Sequence, residues 1–435
     1  MAKKVELLAP AGNLEKMKYA FHYGADAVYA GVPDFSLRVR INNFNRETIK
    51  EAVEYAHARK KKIYLTLNIY AHNRHLENAV KHLKFLQKIK PDGIILSDPG
   101  ILMLVKKHLP NVDIHLSTQA NATNWQAVKF WQEQGVKRVI LAREVTLEEI
   151  KEIKKRVPKM ELEYFIHGAM CMSYSGRCIL SKWMTGRSAN LGDCTQPCRW
   201  KYHEVGIRSL YRDRIPTASI IDAKDRYQID LEEDQHGTYF LNSYDLNLLA
   251  YVDKLIAAGV SSLKIEGRAK SVYYVSSVVR AYRKAIDAAG SKAAFKKAVA
   301  EGRKELSNLV HRGYWSGFLL GDEPPHNVHA DNFKSPVKFV GEVEVYPVKS
   351  AVGGAELFNR GAKEKLNTVY VHNEIFFKDK LEAVTPEKII PVKIKKIFNH
   401  KMEEVQEAHG GHAKRYFFEF DKLLPEKALL RVKLS

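Results

Sequence analysis

Eight short apolar segments, each followed by a helix-like segment, alternate along residues 1–270. Apolar residues occupy both faces of the short segments, which is typical of parallel strands covered by helices. Eight such units predict an α/β fold in the form of a TIM-like (β/α)8 barrel. A doubly wound open sheet is the alternative, but no GxGxxG motif follows any of the segments. The candidate strands are residues 5–10, 27–32, 62–68, 93–98, 113–119, 138–144, 162–168 and 261–268.

Polar residues stand at the C-terminal ends of five candidate strands. In a barrel these ends converge on one face, and that face carries the active site. At any single position a side chain that only satisfies a loop is the alternative, but the repetition favours a site. The residues are Ser97, Asp98, Ser117, Gln119, Arg143, Glu144, His167, Glu266 and Arg268.

The regular spacing breaks once, at residues 169–260, between the seventh and eighth candidate strands. This insertion is far longer than one connecting helix needs, and loops of such length in compact domains are usually functional. It includes a predicted strand and turn at residues 238–249. Because the insertion leaves the C-terminal end of strand seven, we expect it to lie over the active face.

All four cysteines of the chain lie in this insertion, with the spacing Cys-x6-Cys-x15-Cys-x3-Cys. Structural zinc commonly uses closely spaced cysteine pairs, which suits only the second pair. A redox dithiol needs a CxxC motif, which is absent. An iron–sulfur cluster is bound by four thiolates and tolerates varied spacing. The spacing favours such a cluster over zinc and leaves both open for Cys171, Cys178, Cys194 and Cys198.

The charge balance allows two interpretations. The chain carries 70 Lys and Arg against 50 Asp and Glu, a formal net charge of +20. Such an excess fits either a lysine-rich surface or a polyanionic partner such as RNA. The chain has no run of 18 apolar residues and no signal peptide, so we expect a cytoplasmic protein that does not bind membranes. In that compartment thiols stay reduced, which favours metal binding or catalysis over disulfides.

The pattern changes beyond the eighth unit. Residues 321–327 are predicted as a linker, and short β segments separated by turn residues follow from about residue 335. We therefore predict two domains, a barrel at residues 1–320 and a small all-β barrel at residues 335–435.

Several motifs together resemble one known family. They are ELLAPAGNLEKMKYAFHYGADAVYAG at the start, EYFIHGAMCMSYSGRCILS and RSANLGDCTQPCRW around the cysteines, SLKIEGRAKSVYYV after them, and VHRGYWSGFLLG. These segments are similar to those of the collagenase-like peptidases, and the resemblance spans nearly the whole chain. The family's better-understood members are oxygen-independent hydroxylases with a [4Fe–4S] cluster on four cysteines.

The resemblance implies a function and a set of partners. Among the family's members, the layout of a barrel plus one small β domain is most similar to that of the tRNA hydroxylases. Those enzymes use the dicarboxylate prephenate and convert a wobble uridine to 5-hydroxyuridine. The resemblance therefore implies a cluster on the four cysteines, prephenate as co-substrate and tRNA as substrate. Hydroxylation of a ribosomal RNA base and peptidase activity are the alternatives, although neither HExxH nor GxSxG occurs.

Further site residues follow from the chemistry that this function requires. A dicarboxylate needs at least two cations, best provided by arginine, and the candidates are Arg143, Arg177, Arg187 and Arg268. His167 and Glu266 are candidates for proton transfer, with Arg268 beside them, and a buried structural histidine is the alternative for His167. Tyr174 is a candidate for base stacking, and Gln119 for a further substrate contact.

Overall fold

The computed structural model describes residues 5–31, 44–171, 173–187, 189, 194–200, 202–205, 218–222, 228–231, 243–322, 335–344, 366–411 and 415–434. The chain divides into two compact units. The first comprises Met1–Phe21, Ala25–Arg303 and His311–Phe333, and the second His22–Gly24, Lys304–Val310 and Lys334–Ser435.

The first unit is a closed barrel of eight parallel strands, as the alternating pattern predicts. Strand β12 pairs with both β1 and β7, which closes the ring. Each of the eight candidate segments contains one barrel strand, and the open-sheet alternative is wrong. The barrel strands are β1 (Glu6–Ala11), β2 (Ala27–Gly31), β3 (Lys62–Leu67), β4 (Gly93–Leu96), β5 (Asp113–Leu116), β6 (Arg138–Ile140), β7 (Glu161–Ala169) and β12 (Ser262–Ile265).

Helices follow most barrel strands, and several of them begin at capping residues. The Asp98 side chain accepts a hydrogen bond from the backbone N–H of Ile101, and Pro99 occupies the first helical position, so α4 begins directly after β4. The helices are α1 (Leu14–His22), α2 (Arg46–His57), α3 (Asn73–Ile89), α4 (Pro99–His108), α5 (Trp125–Glu133), α6 (Leu147–Arg156), α7 (Leu180–Thr185), α8 (Val252–Ala257), α9 (Val272–Ala288) and α10 (Lys292–Leu306). None of the helices in the described parts of the chain is long and apolar enough to cross a membrane.

Paired charges fill the N-terminal end of the barrel. The Arg138 guanidinium lies 2.6 Å from a carboxylate oxygen of Glu6, 2.9 Å from one of Glu161 and 3.2 Å from one of Glu163. The Lys264 ammonium lies 2.8 Å from the other oxygen of Glu163. These five side chains, the basal network, meet the requirement that buried charges be paired.

The insertion contributes strands both to the barrel and beside it. Strand β11 (Asp245–Asn247) pairs antiparallel with the end of β7, and β13 (Tyr314–Trp315) pairs with β11. The strand predicted within residues 238–249 is β11, and residues 238–242 lie outside the described residues. A three-stranded antiparallel sheet is formed by β8 (Tyr202–Val205), β9 (Ala218–Asp222) and β10 (Gln228–Leu231).

The second unit is all-β, as predicted, and takes the form of an antiparallel half-barrel. Its sheet has the strand order β18-β17-β23-β14-β15-β22-β19-β20. Its core includes Val340, Val369, Phe418 and Leu430. The linker predicted at residues 321–327 lies mostly outside the described residues. The strands are β14 (Val337–Glu344), β15 (Asn367–Val371), β16 (Ile375–Phe376), β17 (Leu381–Val384), β18 (Ile389–Val392), β19 (Ile394–Phe398), β20 (Glu404–Val405), β21 (Glu407–Ala408), β22 (Arg415–Phe420) and β23 (Leu429–Lys433).

Candidate functional site

His167 lies at the C-terminal end of β7, enclosed by tyrosines. Its side chain is 1% exposed, and the ring centroids of Tyr274, Tyr282 and Tyr314 lie 5.9, 5.5 and 5.4 Å from its own. Its Nδ1 lies 3.4 Å from the Tyr282 hydroxyl. Its Nε2 is buried and has no hydrogen-bond partner within the described part of the chain. A buried polar atom without a partner is costly, which is typical of a position that meets a ligand.

Burial sets the protonation state of His167. Desolvation lowers its pKa to about 3, the nearby His311 and Lys270 act in the same direction, and Asp245 opposes them. The imidazole is therefore neutral at physiological pH. The Tyr282 hydroxyl makes its shortest bond, 2.7 Å, by donating to the carbonyl of Ile166. Because the hydroxyl proton of Tyr282 is used in that bond, its oxygen can accept a hydrogen bond from His167. We therefore assign the ring proton of His167 to Nδ1, which leaves Nε2 as a hydrogen-bond acceptor.

Glu266 and Arg268 lie together at the end of the eighth barrel strand. Tyr29 donates to Glu266 Oε2 at 3.2 Å, and the Arg268 guanidinium lies 5.8 Å from the Tyr29 ring centroid. Arg268 also donates to the hydroxyl of Thr66 on β3 at 3.2 Å. Tyr274, whose ring contacts His167, donates to the Glu266 carbonyl at 3.3 Å. The structure thus brings the three predicted catalytic residues to one end of the barrel.

Three cations alternate with two aromatic rings in a row that begins at the C-terminal end of the barrel and includes Lys264 of the basal network. The Arg143 guanidinium lies 4.0 Å from the ring centroid of Phe165. The Lys264 ammonium lies 5.4 Å from the same centroid and 4.4 Å from that of Tyr29, which also faces Arg268. We call Arg143, Phe165, Lys264, Tyr29 and Arg268 the cationic row. Each contact is of cation–π type, which holds a positive charge in position without neutralising it.

The loop that carries the first two cysteines is fixed to the rim of the barrel. Glu144, just beyond β6, accepts hydrogen bonds from the backbone N–H of Ser175 at 2.8 Å and from its hydroxyl at 3.0 Å. The Tyr70 hydroxyl lies 2.9 Å from the carbonyl oxygens of both Gln119 and Gly176. We call residues 173–178 the docked loop, since residues of two separate barrel connections hydrogen-bond to it.

Gly176 is required by this docking. Its φ is +77°, in the left-handed region, and a Cβ at this position would lie 2.3 Å from the Gln119 carbonyl oxygen. A side chain larger than hydrogen would both strain the backbone and push the loop off the rim. Ser175 and Gly176 between the first two cysteines are thus explained by their contacts with the barrel.

The second pair of cysteines lies on a segment that is bonded to α7. The Ser181 hydroxyl, on α7, accepts a hydrogen bond from the backbone N–H of Thr195 at 3.0 Å, and the hydroxyl groups of the two residues are also 3.0 Å apart. Ser181 follows Cys178 by three positions, and Thr195 follows Cys194 directly. These bonds join the two cysteine-bearing segments into one substructure beside the rim.

None of the four cysteines forms a disulfide. Cys171 is exposed, and the other three are partly exposed. Four thiols on two joined segments fit the donor set of a four-thiolate cluster in chemistry and number. Across the described residues, no three His, Cys, Asp or Glu side chains are grouped as ligands of one metal ion. The ligand role of the thiols therefore stays a prediction.

The other predicted site residues lie on the rim of the barrel, on the docked loop or beside the second cysteine segment. The carbonyl of Gln119 and the side chain of Arg143 are on the rim, and Arg143 also directs its backbone N–H at the Ser175 hydroxyl, 3.4 Å away. Tyr174 and Arg177 are exposed on the docked loop. Arg187, whose carbonyl accepts from Ser181 at 2.7 Å, lies beside the second cysteine segment.

Sequence reasoning missed the tyrosines and one ion pair. Tyr274 and Tyr282 are eight residues apart on α9, a spacing that places them on one helix face, and this was the available signal. The buried Asp245 accepts from Nη2 and Nε of Arg312 at 2.7 and 3.2 Å. Asp245 acts on His167 electrostatically, and no sequence motif indicates this pairing.

Comparison with known families gives two matches along the chain. Residues 12–329 match the model of peptidase family U32, and residues 352–431 match that of the peptidase family U32 C-terminal domain. The two matches correspond to the barrel and to the all-β region.

Three similar proteins carry different names. The tRNA hydroxylation protein P of Haemophilus influenzae is 42% identical over 440 residues, with 94% of this chain and 92% of that protein covered. A 23S rRNA 5-hydroxycytidine synthase of Escherichia coli is 35% identical, with 78% of this chain and 48% of that protein covered. A collagenase of Porphyromonas gingivalis is 31% identical, with 73% of each chain covered.

Proposed function

This chain belongs to peptidase family U32, and we propose that within the family it is a tRNA hydroxylase. The observation that carries the proposal is the 42% identity to a tRNA hydroxylation protein over 94% of the chain, which includes both units. The similar ribosomal RNA enzyme is covered over only 48% of its length, so its layout differs from that of this chain.

We further propose that the product is 5-hydroxyuridine at a wobble position, with prephenate as co-substrate and a [4Fe–4S] cluster on Cys171, Cys178, Cys194 and Cys198. Replacing C5–H by C5–OH removes two electrons from the base and adds one oxygen atom, which side chains alone cannot accomplish. The proposed co-substrate would have to provide the oxygen atom and take up the two electrons, and a cluster held by the four thiolates would mediate the electron transfer. Wobble bases lie in single-stranded loops, from which a base can enter a pocket.

The cationic row is the proposed binding site for the dicarboxylate. Arg143 and Arg268 stand at its two ends and can each offer a planar pair of N–H donors to a carboxylate. Burial lowers the pKa of Lys264, and its partner Glu163 opposes this effect. Lys264 lies 2.8 Å from Glu163, so the two arginines are the groups that we expect to contact the ligand.

His167 and Glu266 are proposed to act on the base. With a pKa of about 3, His167 is a weak base, so we assign its Nε2 the role of accepting a hydrogen bond from substrate. Glu266 is the remaining candidate for receiving the proton that leaves C5. Tyr274 contacts the His167 ring and donates to the backbone carbonyl of Glu266, which connects the two residues.

The peptidase alternative is supported by the name of the similar collagenase. A cysteine peptidase needs a histidine that becomes protonated beside the thiolate. His167 instead lies among tyrosines with a pKa near 3, which disfavours the imidazolium. This environment favours the hydroxylase.

Nucleoside analysis of tRNA tests the proposal. We expect tRNA from a strain lacking the gene to lose 5-hydroxyuridine, and the wild-type gene to restore it. Variants Cys198→Ser and Arg268→Met should fail to restore it, whereas the exposed-surface control Phe130→Ala should succeed. Unchanged tRNA in the deletion strain, together with gelatin cleavage by a protein whose four cysteines are serine, would instead support a peptidase.

A further inference from the structure

Helix α7 presents an apolar stripe to solvent directly after Cys178. Ile179 and Trp183 are 70% and 69% exposed, and Lys182 beside them is also exposed. The backbone N–H of Trp183 bonds to the carbonyl of Ile179, so the two side chains project from adjacent turns of one face. The opposite face, with Ser181 and Met184, is buried.

The docked loop exposes a further aromatic ring on the other side of Cys178 in the sequence. Tyr174 is 65% exposed, and the backbone N–H of Arg177 bonds to its carbonyl, which places Arg177 one turn away. Three large apolar side chains are thus exposed within ten residues of chain, on either side of a cysteine. We call Tyr174, Ile179 and Trp183 together the aromatic surface, after its two aromatic rings. The cationic residues Arg177 and Lys182 lie between them in the sequence.

This mixture of flat rings and cations identifies the class of partner. Cores of protein interfaces are depleted in lysine, whereas surfaces for single-stranded nucleic acid combine aromatic platforms with basic residues. Stacking on rings tolerates any base, and the cations contact the phosphates. The net charge of +20 has the sign that an RNA partner requires.

We propose that Trp183 and Tyr174 stack on unpaired bases of an RNA loop next to the target nucleotide, while Arg177 and Lys182 contact its phosphates. This inference rests on the proposed function. Because the docked loop is fixed to the rim of the barrel, a nucleotide turned into the barrel leaves its neighbours close to the aromatic surface. Trp183 thereby becomes a residue that selects single-stranded loops over duplex.

Binding of two RNA probes to the full-length protein tests the inference. The probes are a stem-loop RNA with an unpaired loop and a perfect duplex of the same length. We expect Trp183→Ala and Tyr174→Ala to weaken loop binding about tenfold each and to leave duplex binding unchanged. Trp183→Phe should restore most of the affinity. The matched control is Phe130→Ala, since Phe130 is also exposed, on α5, away from the cysteines.

The outcomes separate this inference from the function on which it rests. If the wild type prefers the loop and both alanine variants bind as tightly, the stacking role is wrong while tRNA hydroxylation stands. If Trp183→Ala changes the sedimentation mass instead of RNA affinity, the surface holds a second copy of the chain, and the inference is overturned. If the wild type binds neither probe and modifies no tRNA, the proposed function itself fails.

Discussion

At the N-terminal end of the barrel every nitrogen of the Arg138 guanidinium donates to a carboxylate, whereas at the C-terminal end His167 keeps Nε2 without a partner within the described residues. Both side chains are buried, so burial alone does not explain the contrast. The first end contains charges that must be paired for the barrel to fold. The second leaves an acceptor that no described residue satisfies, as is typical of a group that meets a ligand.

The same contrast extends to the surroundings of each residue. The basal network is made of side chains from the barrel strands themselves, which the sheet holds in fixed register. The groups at the other end come from β7, α9, the insertion and the docked loop, so their positions depend on connections far apart in sequence. The charge pairs that stabilise the barrel thus lie at its N-terminal end, and most of the candidate site residues lie at its C-terminal end. This is the division expected of a barrel enzyme.

The largest expected effect is on the basal network. Arg138→Met leaves three carboxylates without their shared cation, and we expect it to lower the free energy of unfolding by about 3–5 kcal/mol. The control is Lys137→Met, whose pair with Asp113 is exposed and should contribute less than about 1 kcal/mol. Urea unfolding at pH 7 measures both. Equal losses in the two variants would show that the basal network does not stabilise the barrel.

The next effect concerns the docked loop. Gly176→Ala introduces both a left-handed alanine and a Cβ overlapping the Gln119 carbonyl, and we expect a cost of about 2–4 kcal/mol. Gly186→Ala is the matched control, because Gly186 also has positive φ but nothing within 4 Å of its missing Cβ. It should cost about 1 kcal/mol. Alkylation rates of the free thiols report on the docking, and similar rates in the two variants would contradict it.

The third prediction uses the pH dependence of stability. The folded-state pKa of His167, about 3, lies below the unfolded value near 6.5, so the unfolded chain takes up the proton first. The contribution of His167 to the free energy of unfolding is complete above about pH 7 and is lost as the pH falls toward 3. Between pH 7 and pH 5 the loss is about 2 kcal/mol.

His167→Phe should remove this part of the pH dependence. We expect the free energy of unfolding of the variant to fall about 2 kcal/mol less than that of wild type between pH 7 and pH 5. Tyr282 keeps its hydrogen bond to Ile166 in the variant, so the packing around the ring is retained. Parallel curves of stability against pH for the two proteins would mean that His167 titrates normally.

The smallest expected effect is local. Glu144→Gln weakens the two hydrogen bonds to Ser175 without a steric change, and we expect about 1 kcal/mol of lost local stability. Hydrogen exchange at the Ser175 amide should accelerate several-fold, while global unfolding stays nearly unchanged. Glu148→Gln, which affects an exposed pair with Lys151, is the control. An unchanged Ser175 amide would show that Tyr70 and Gly176 alone hold the loop.

Local sequence patterns were sufficient to predict the barrel and which side chains lie at the C-terminal ends of its strands. Strands rich in apolar residues on both sides recur at regular spacing, and polar residues such as His167 and Glu266 fall where the strands end. These features depend on short-range patterns, which a sequence displays directly. The β-rich character of the second unit was predictable for the same reason, although its half-barrel form was not.

Features that depend on distant pairings were not predictable in this way. Ser175 meets Glu144 across 31 positions, and Arg138 meets Glu6 across 132. In the sequence, Tyr274 and Tyr282 fit ordinary apolar positions of an amphipathic helix. Their contacts with His167 arise only when the helix packs against β7. The exposure of Trp183 is likewise a property of the folded chain, since its composition and spacing equally fit a buried helix.

The attachment of the docked loop involves no sulfur atom. A carboxylate, a tyrosine hydroxyl and a glycine backbone hold it, so its place on the rim is independent of the oxidation state of the thiols and of what they bind. We therefore expect loss of the proposed cluster to leave the loop in place. Rebuilding that cluster would then require no refolding of this loop.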